Sequence, residues 1–549
     1  MTISGANVEN KGAFSSMIIN GDNDDLNTES VLTIDDGTFT GGINSVKNGE
    51  LGVLTINNGT FTNTTQYAVM NWNKATINNG TFAVKDSAKA VLFSVGYNNR
   101  AEGKLTITGG TFKGTGSQEM IDNHYASSYT GTASITGGTF SSDVSAYVAE
   151  GYVQNNGTVE QLGETNAVAK VGNTYYKTLA EAVSAADKNT VTLLKNTAED
   201  VVIPADKTVT LDLNGKKLTN VQSDTITVTK GAKLTIAGKG TVDNVTNGKA
   251  AVYNNGTTTL NGGKYTRSAE ADNTTSSSGG NSYYNILNHG AMTINEGVEV
   301  YSSGHFSSLV ANGYYDYSAT QKGDRTAYIE SVGQAAPALT INNGTFSGGI
   351  NTIKNDDNAT LTINSGEFSN VTQAVVQNNN IATVNGGTFD ADGYHALENW
   401  KYNSNYNAGN LTVTNGKFAG SIATNAAVKI SGGLYTENPS KYLAASVKDG
   451  YKYAAVKHVS PYLFEVKEIL NENVEVIPNV GAAKAKSAEG VVDKDDVAKV
   501  DAAAKVVAAP KISEAAAVVA DKVDAKQYTE KATNITTADR IEVRAYLEV

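Results

Sequence analysis

The chain has no cysteine in 549 residues. That absence removes disulfides, thiolate zinc sites, iron–sulfur clusters and thiol nucleophiles together. Proline is scarce, at 6 residues, which excludes collagen-like and proline-rich linker compositions. Charged residues are 18% of the chain against about 25% in ordinary domains, so neither a coiled coil nor charge-driven disorder fits. Lys and Arg number 43 against 55 Asp and Glu, a net charge of −12. With no basic patch, nucleic acid is not expected as a partner. No apolar run approaches the ~18–20 residues of a membrane helix, so no membrane insertion is expected within this segment. The N-terminus lacks the basic start and apolar centre of a signal peptide.

What the chain does have is repetition. Leu32-Thr-Ile-Asp-Asp-Gly-Thr-Phe39 returns as Leu54-Thr-Ile-Asn-Asn-Gly-Thr-Phe61. Further copies end at Phe82, Phe112 and Phe140, and in the second half at Phe346, Phe368, Phe389, Phe418 and Tyr435. The glycine before Thr-Phe falls at 37, 59, 80, 110 and 138, so the steps are 22, 21, 30 and 28 residues. Leu-Thr-Ile alternates apolar and polar, which suits a short strand with one buried face. Asn-Asn-Gly tolerates positive φ and reads as a turn. Thr-Phe starts a second strand, and segments such as Gly42 to Val46 and Tyr67 to Met70 supply a third. Three short strands per period of 20–30 residues predict a parallel β-helix solenoid. Leu, Ile and Phe would fill its interior in ladders, and Asn would stack at the turns.

A longer period lies over the short one. Leu32, Leu54 and Ala75 correspond to Leu339, Leu361 and Ala382, each 307 residues on. Met1-Thr-Ile3 likewise matches Met292-Thr-Ile294. The chain therefore reads as the later part of one unit (1–165) followed by a complete unit (166–465) and a small mixed α/β region or partial next domain (466–549). Met1 falls where an internal Met is expected, so the sequence reads as a fragment, with any signal or anchor outside it. The complete unit opens with a short helix near 178–187. Thr178 and Glu181 have capping-box spacing, and Leu179, Ala182, Val183 and Ala186 share one face. Such a helix would cover an exposed solenoid end.

Tyr175 to Ala186, Thr190 to Lys195 and Val209 to Leu218 together resemble the opening of pectin-lyase-like right-handed parallel β-helix modules. These occur in large surface proteins of Gram-positive gut bacteria. The resemblance covers about residues 1–455 and implies an extracellular, cell-surface or wall-attached, adhesin-like protein. The composition changes from Asn471, where Asp493 to Val507 and Ser513 to Val523 have helical spacing and Arg540 to Val549 alternates like a strand.

The chemistry is sparse. No polygalacturonase-like motif series is present, and the acidic pairs Asp24-Asp25, Asp35-Asp36 and Asp356-Asp357 fall at turns, where acids are usually solvated. The five histidines, at 124, 289, 305, 395 and 458, show no metal-ligand spacing and read as surface or turn residues. No catalytic residue and no cofactor is expected. If a calcium ion binds, Asp22, Asp24 and Asp25 are its candidate ligands, although the full calcium-loop pattern is missing. The binding signal is aromatic: 27 Tyr against 13 Phe and 2 Trp. Tyr125 and Tyr129, Tyr283 and Tyr284, Tyr314, Tyr315 and Tyr317, and Trp400, Tyr402 and Tyr406 cluster in polar stretches that interrupt the repeats. Exposed aromatics stack on sugars and anchor protein interfaces. The expected function is a rigid stalk or adhesin presenting loops to host or environmental glycans or surface proteins, with self-association along or end to end as a further option. The alternative is a polysaccharide lyase or glycoside hydrolase on the same fold.

Overall fold

The computed structural model describes residues 1–471 apart from 13, 22–27, 64, 116–117, 247, 269–283, 304–306, 314–335, 357 and 402–407. The C-terminal region, with its expected helices and terminal strand, lies outside the described residues. Residues 1–471 form one compact unit by internal contacts. It is all-β with long parallel sheets, and among the described residues it has one α-helix, Leu179–Ala185, besides short 3₁₀ turns.

Each repeat contributes a strand to each of three parallel rows. In the first row Leu32, Leu54, Ala75, Leu105 and Ala133 are successive register partners. In the second row Phe39, Phe61, Phe82, Phe112 and Phe140 are partners. In the third, Val46, Val69, Leu92 and Ile121 are partners. The 166–471 portion repeats the scheme with Leu339, Leu361, Ala382, Leu411 and Val428, then with Phe346, Phe368, Phe389, Phe418 and Tyr435. Strand neighbours lie ~4.8 Å apart, so register alone forces the phenylalanines to stack. Ring centroids are 4.6–4.9 Å apart from Phe39 to Phe140 and 4.8 Å apart at each step from Phe346 to Tyr435. Where tyrosine takes a column position its hydroxyl must find an acceptor. Tyr265 and Tyr435 each donate to the carbonyl three residues upstream, Gly262 and Gly432, at 2.9 Å. Two separate apolar cores result, one from Leu32 to Val159 and one from Ala169 to Val466.

Asparagines form two kinds of ladder. The exposed one joins the turns: Asn342 donates to Asn295, Asn364 to Asn342 and Asn385 to Asn364, at 2.8–2.9 Å. A second ladder closes the third row of strands and is buried. There Asn254, Asn288, Asn312, Asn355 and Asn378 each donate Nδ2 to the Oδ1 of the next asparagine, the last being Asn399, at 2.6–2.8 Å. The same series runs through Asn20, Asn48 and Asn71 in the first portion. A hydroxyl ends each buried series, Ser94 in one and Thr424 in the other.

The ends of the rows are closed differently. Antiparallel hairpins finish both sets, Tyr152–Asn155 with Thr158–Gln161 and Tyr451–Lys457 with Phe464–Leu470. The second set begins with the hairpin Ala169–Val171 and Thr174–Tyr176 and the helix Leu179–Ala185. Leu179, Ala182, Val183 and Ala186 pack into the core beside Val191, Leu193, Val201 and Ile203. Thr178 Oγ1 accepts from the Glu181 N–H at 3.1 Å, as an N-cap does. The Glu181 carboxylate, however, reaches back to the Lys177 N–H at 3.1 Å and not to that of Thr178, so the box is one residue open. Glu199, twenty residues away, takes the Leu179 and Ala180 N–H groups at 2.9 and 3.0 Å. It satisfies two donors that a helix start leaves unpaired. No helix among the described residues is long and apolar enough to cross a membrane.

Candidate binding site

The steps of 30 and 28 residues have a local cause. After their third strands, two successive repeats insert short hairpins, Gly96–Asn98 with Ala101–Glu102 and His124–Tyr125 with Tyr129–Thr130. Both rise beside the outer face of the third sheet. There the register sets Met70 next to Phe93 and Phe93 next to Asp122. Tyr67, Ala90, Phe93 and Val95 form a small apolar cluster of their own, with Met70 and Trp72 against it.

Trp72 is the hub. Its ring meets Phe93 at 4.8 Å, Tyr125 at 5.1 Å and Tyr97 at 5.6 Å, all edge-on, and Tyr97 meets Tyr129 at 5.8 Å. Tyr97, Tyr125 and Tyr129 remain 37%, 53% and 40% exposed, so each keeps ring surface in solvent. Beneath them Tyr67 donates to Asp122 Oδ2 at 2.7 Å. Burial, with Asp122 adding to it, pushes the Tyr67 hydroxyl far above the usual phenol range, so it stays a donor.

The first hairpin is tied down. The Arg100 carbonyl accepts from the Leu51 N–H at 2.8 Å, and its guanidinium pairs with Glu50 at 3.3 Å. Glu102 N–H donates to Asn73 Oδ1 at 3.1 Å, and the Glu102 carboxylate pairs with Lys74 at 2.9 Å. A patch held this way loses little freedom on binding.

Tyr125 and Tyr129 are thus brought together, with Trp72, Phe93 and Tyr97 added by the fold. Trp72 and Phe93 sit beside and in third-row strands, Tyr97 lies in the first inserted hairpin, and no loop composition marks them. For Phe93 and Tyr97 the signal is the 30-residue step, whereas Trp72 lies in an ordinary step of 21 residues. Tyr284, two residues before the strand Ile286–Asn288, is 6% exposed and is not a surface aromatic. Trp400 is half-buried. Tyr283, Tyr314, Tyr315, Tyr317, Tyr402, Tyr406, Asp22, Asp24 and Asp25 lie outside the described residues. Among those described, no three His, Asp or Glu side chains lie close enough to hold a metal ion. Asp35 and Asp36 accept from Asn57 and Asn58 in the turn ladder. Asp356 is no solvated turn acid: it is 1% exposed, 3.5 Å from Lys354, and accepts from Asn379 at 3.3 Å.

His289 also departs from the surface reading. Its Nδ1 lies 3.2 Å from Tyr253 Oη, and burial pushes the imidazole down to about 4. The unfolded chain takes up a proton near pH 6.5 that the folded chain refuses until about pH 4. Stability from this residue is therefore complete above pH 6.5 and is lost as pH falls from there to about 4. The expected loss is on the order of 2 kcal/mol. Urea unfolding at pH 7 and 4.5 should show it in the wild type, and His289→Gln should remove that part of the pH dependence. An unchanged dependence in the variant overturns the assignment.

No protein-family model, curated protein or solved structure matches the chain.

Proposed function

We propose that the chain is a right-handed parallel β-helix stalk of a bacterial surface protein, pectin-lyase-like in architecture, that binds glycans through the aromatic patch on its inserted hairpins. The cyclic order of the three strand rows and the stacked columns support the solenoid. The observation that carries the function is the cluster of Trp72, at the end of a third-row strand, with Tyr97, Tyr125 and Tyr129 raised beside it on two hairpins. Partly exposed rings offer apolar faces for sugar C–H groups. Tyrosine hydroxyls and the flanking Lys74, Glu102 and His124 supply polar contacts. The extracellular location belongs to the same reading.

The test is retention on immobilised host and plant glycans, mucin included, with released products measured in the same assay. Retention of one glycan class without cleavage is expected. Trp72→Ala and Tyr125→Ala should each weaken it about tenfold or more, since one buried aromatic anchor contributes over 1.4 kcal/mol. Product release would replace the adhesin with the lyase or hydrolase reading. Retention insensitive to both substitutions would move the site elsewhere.

A further inference from the structure

On the corresponding outer face of the 166–471 portion Lys354, Gln377 and Glu398 are successive register partners, and one group there has the order of a hydrolytic site. The third-row register sets Gln377 beside Glu398, and His395 beside Ser421. His395 Nδ1 lies 2.6 Å from Ser421 Oγ, and its Nε2 lies 3.8 Å from Glu398 Oε1. Glu398 is 5% exposed at its side chain, whereas His395 is 40% exposed. The other carboxylate oxygen, Oε2, accepts from the Gln377 and Gln373 amides at 2.9 and 3.2 Å. Two amides therefore hold Glu398 with Oε1 left toward the imidazole.

The backbone around the pair is irregular in a directed way. The strand register shifts on both sides of His395. Asp392 and Gly393 have φ of 41° and 88°, and Gly420, immediately before Ser421, has φ of 135°. A Cβ on Gly420 would meet the Tyr394 carbonyl at 2.8 Å, so this close approach requires glycine. Bulges of this kind re-aim side chains and concentrate beside functional sites. Without the shift, the strand would carry His395 past Ser421 in simple alternation. The next outward residue after Ser421 is the short Ala423, a register partner of Glu398, and Tyr442 donates to the intervening Ile422 carbonyl at 3.0 Å.

We propose that Ser421, His395 and Glu398 form a serine hydrolase site for small, solvent-accessible esters, independent of the glycan patch. Ser421 Oγ attacks the ester carbonyl carbon while His395 Nδ1 takes the hydroxyl proton. The imidazolium so formed presents Nε2–H to the Glu398 carboxylate, which makes Glu398 a positioning residue. The C–O bond to the alcohol breaks, and His395 returns the proton to the departing oxygen. Water then attacks the acyl-serine while His395 takes its proton, the acyl C–O bond to Ser421 Oγ breaks as His395 passes that proton to Oγ, and the acid and free serine are released. Ester and water give acid and alcohol, with no other reactant. The 3.8 Å contact has to shorten when the imidazole gains its charge, as catalytic contacts commonly do on substrate binding.

The experiment uses the full chain and a fluorophosphonate probe, with the labelled residue mapped by peptide mass spectrometry. Labelling of wild type at Ser421 is expected, together with turnover of 4-nitrophenyl acetate. His395→Ala should abolish both, with melting temperature and circular dichroism checked for a retained fold. Glu398→Gln should slow labelling at least tenfold, and Glu398→Asp should restore part of it, which a purely structural role would not produce. Wild-type protein that leaves Ser421 unlabelled overturns the proposal without reference to any variant. So does labelling that proceeds equally fast in folded His395→Ala.

Discussion

Asn378→Ala is expected to destabilise the 166–471 portion by about 3–5 kcal/mol. Asn378 is wholly buried, and each of its amide atoms is engaged. Its Nδ2 donates to Asn399 Oδ1 at 2.7 Å and to the Asn380 carbonyl at 3.0 Å. Its Oδ1 accepts from Asn355 Nδ2 at 2.8 Å and from the Asn380 N–H at 3.3 Å. Alanine leaves polar groups on both sides of a six-member series without a partner. Each buried orphan costs roughly 1–3 kcal/mol, and the loss of a polarised chain adds to the pairwise sum. Asn364 is the control. It makes the same amide contacts at 2.8 and 2.9 Å, but in the exposed ladder, where water replaces them. Asn364→Ala should cost less than about 1 kcal/mol. Urea midpoints for the two variants decide the matter, and equal shifts would sink the argument. Asn378→Asp should be at least as damaging as alanine above pH 5, because it removes the donor and buries a carboxylate against Asn399 Oδ1.

Those two ladders also show what the sequence carries and what it hides. The exposed asparagines sit at one place in the repeated phrase, Thr, then Ile or Val, then Asn, with Gly two residues on, so their stacking is readable by eye. The parallel rows are equally legible, because Leu-Thr-Ile and Thr-Phe recur with fixed internal spacing and a glycine turn between them. The buried asparagines close strands of varied composition, such as Asn351–Asn355 and Ala374–Asn378, where no phrase repeats. Only the register aligns them. The same limit governs the sites. Tyr125 and Tyr129 stand out in a polar insertion, whereas Trp72 and Phe93 belong to strands whose outer face is not marked. His395 looked like a lone turn histidine because Ser421 is 26 residues away and one strand over. Glu199 caps the helix from twenty residues on, just past the short strand Thr197–Ala198, a contact that local capping patterns cannot express. Side chains that meet through strand register, and not through chain proximity, stay invisible until the register is known.

Phe368→Ala and Gly366→Ala are each expected to cost about 3 kcal/mol or more, and their costs should not add. Phe368 lies mid-column, 4.8 Å from Phe346 and 4.8 Å from Phe389, so its removal opens a cavity that neither rigid neighbour can close. Large-to-small changes of this kind cost ~3–5 kcal/mol. Gly366 acts on the same ring from the turn. Its φ of 129° is one that side chains rarely adopt, and a Cβ there would stand 3.0 Å from two Phe368 ring carbons and 3.1 Å from the Gly344 carbonyl. Alanine therefore brings backbone strain and pressure on the ring together. Truncating the ring removes only the second contribution. In a double-mutant cycle, Gly366→Ala should thus cost roughly 1 kcal/mol less in the Phe368→Ala background than alone. Additive costs would mean that glycine is required for its backbone angle only. A coupling of the stated size would instead explain why every turn before a stacked ring carries glycine while the residue before it varies: the ring fills the space a side chain would take.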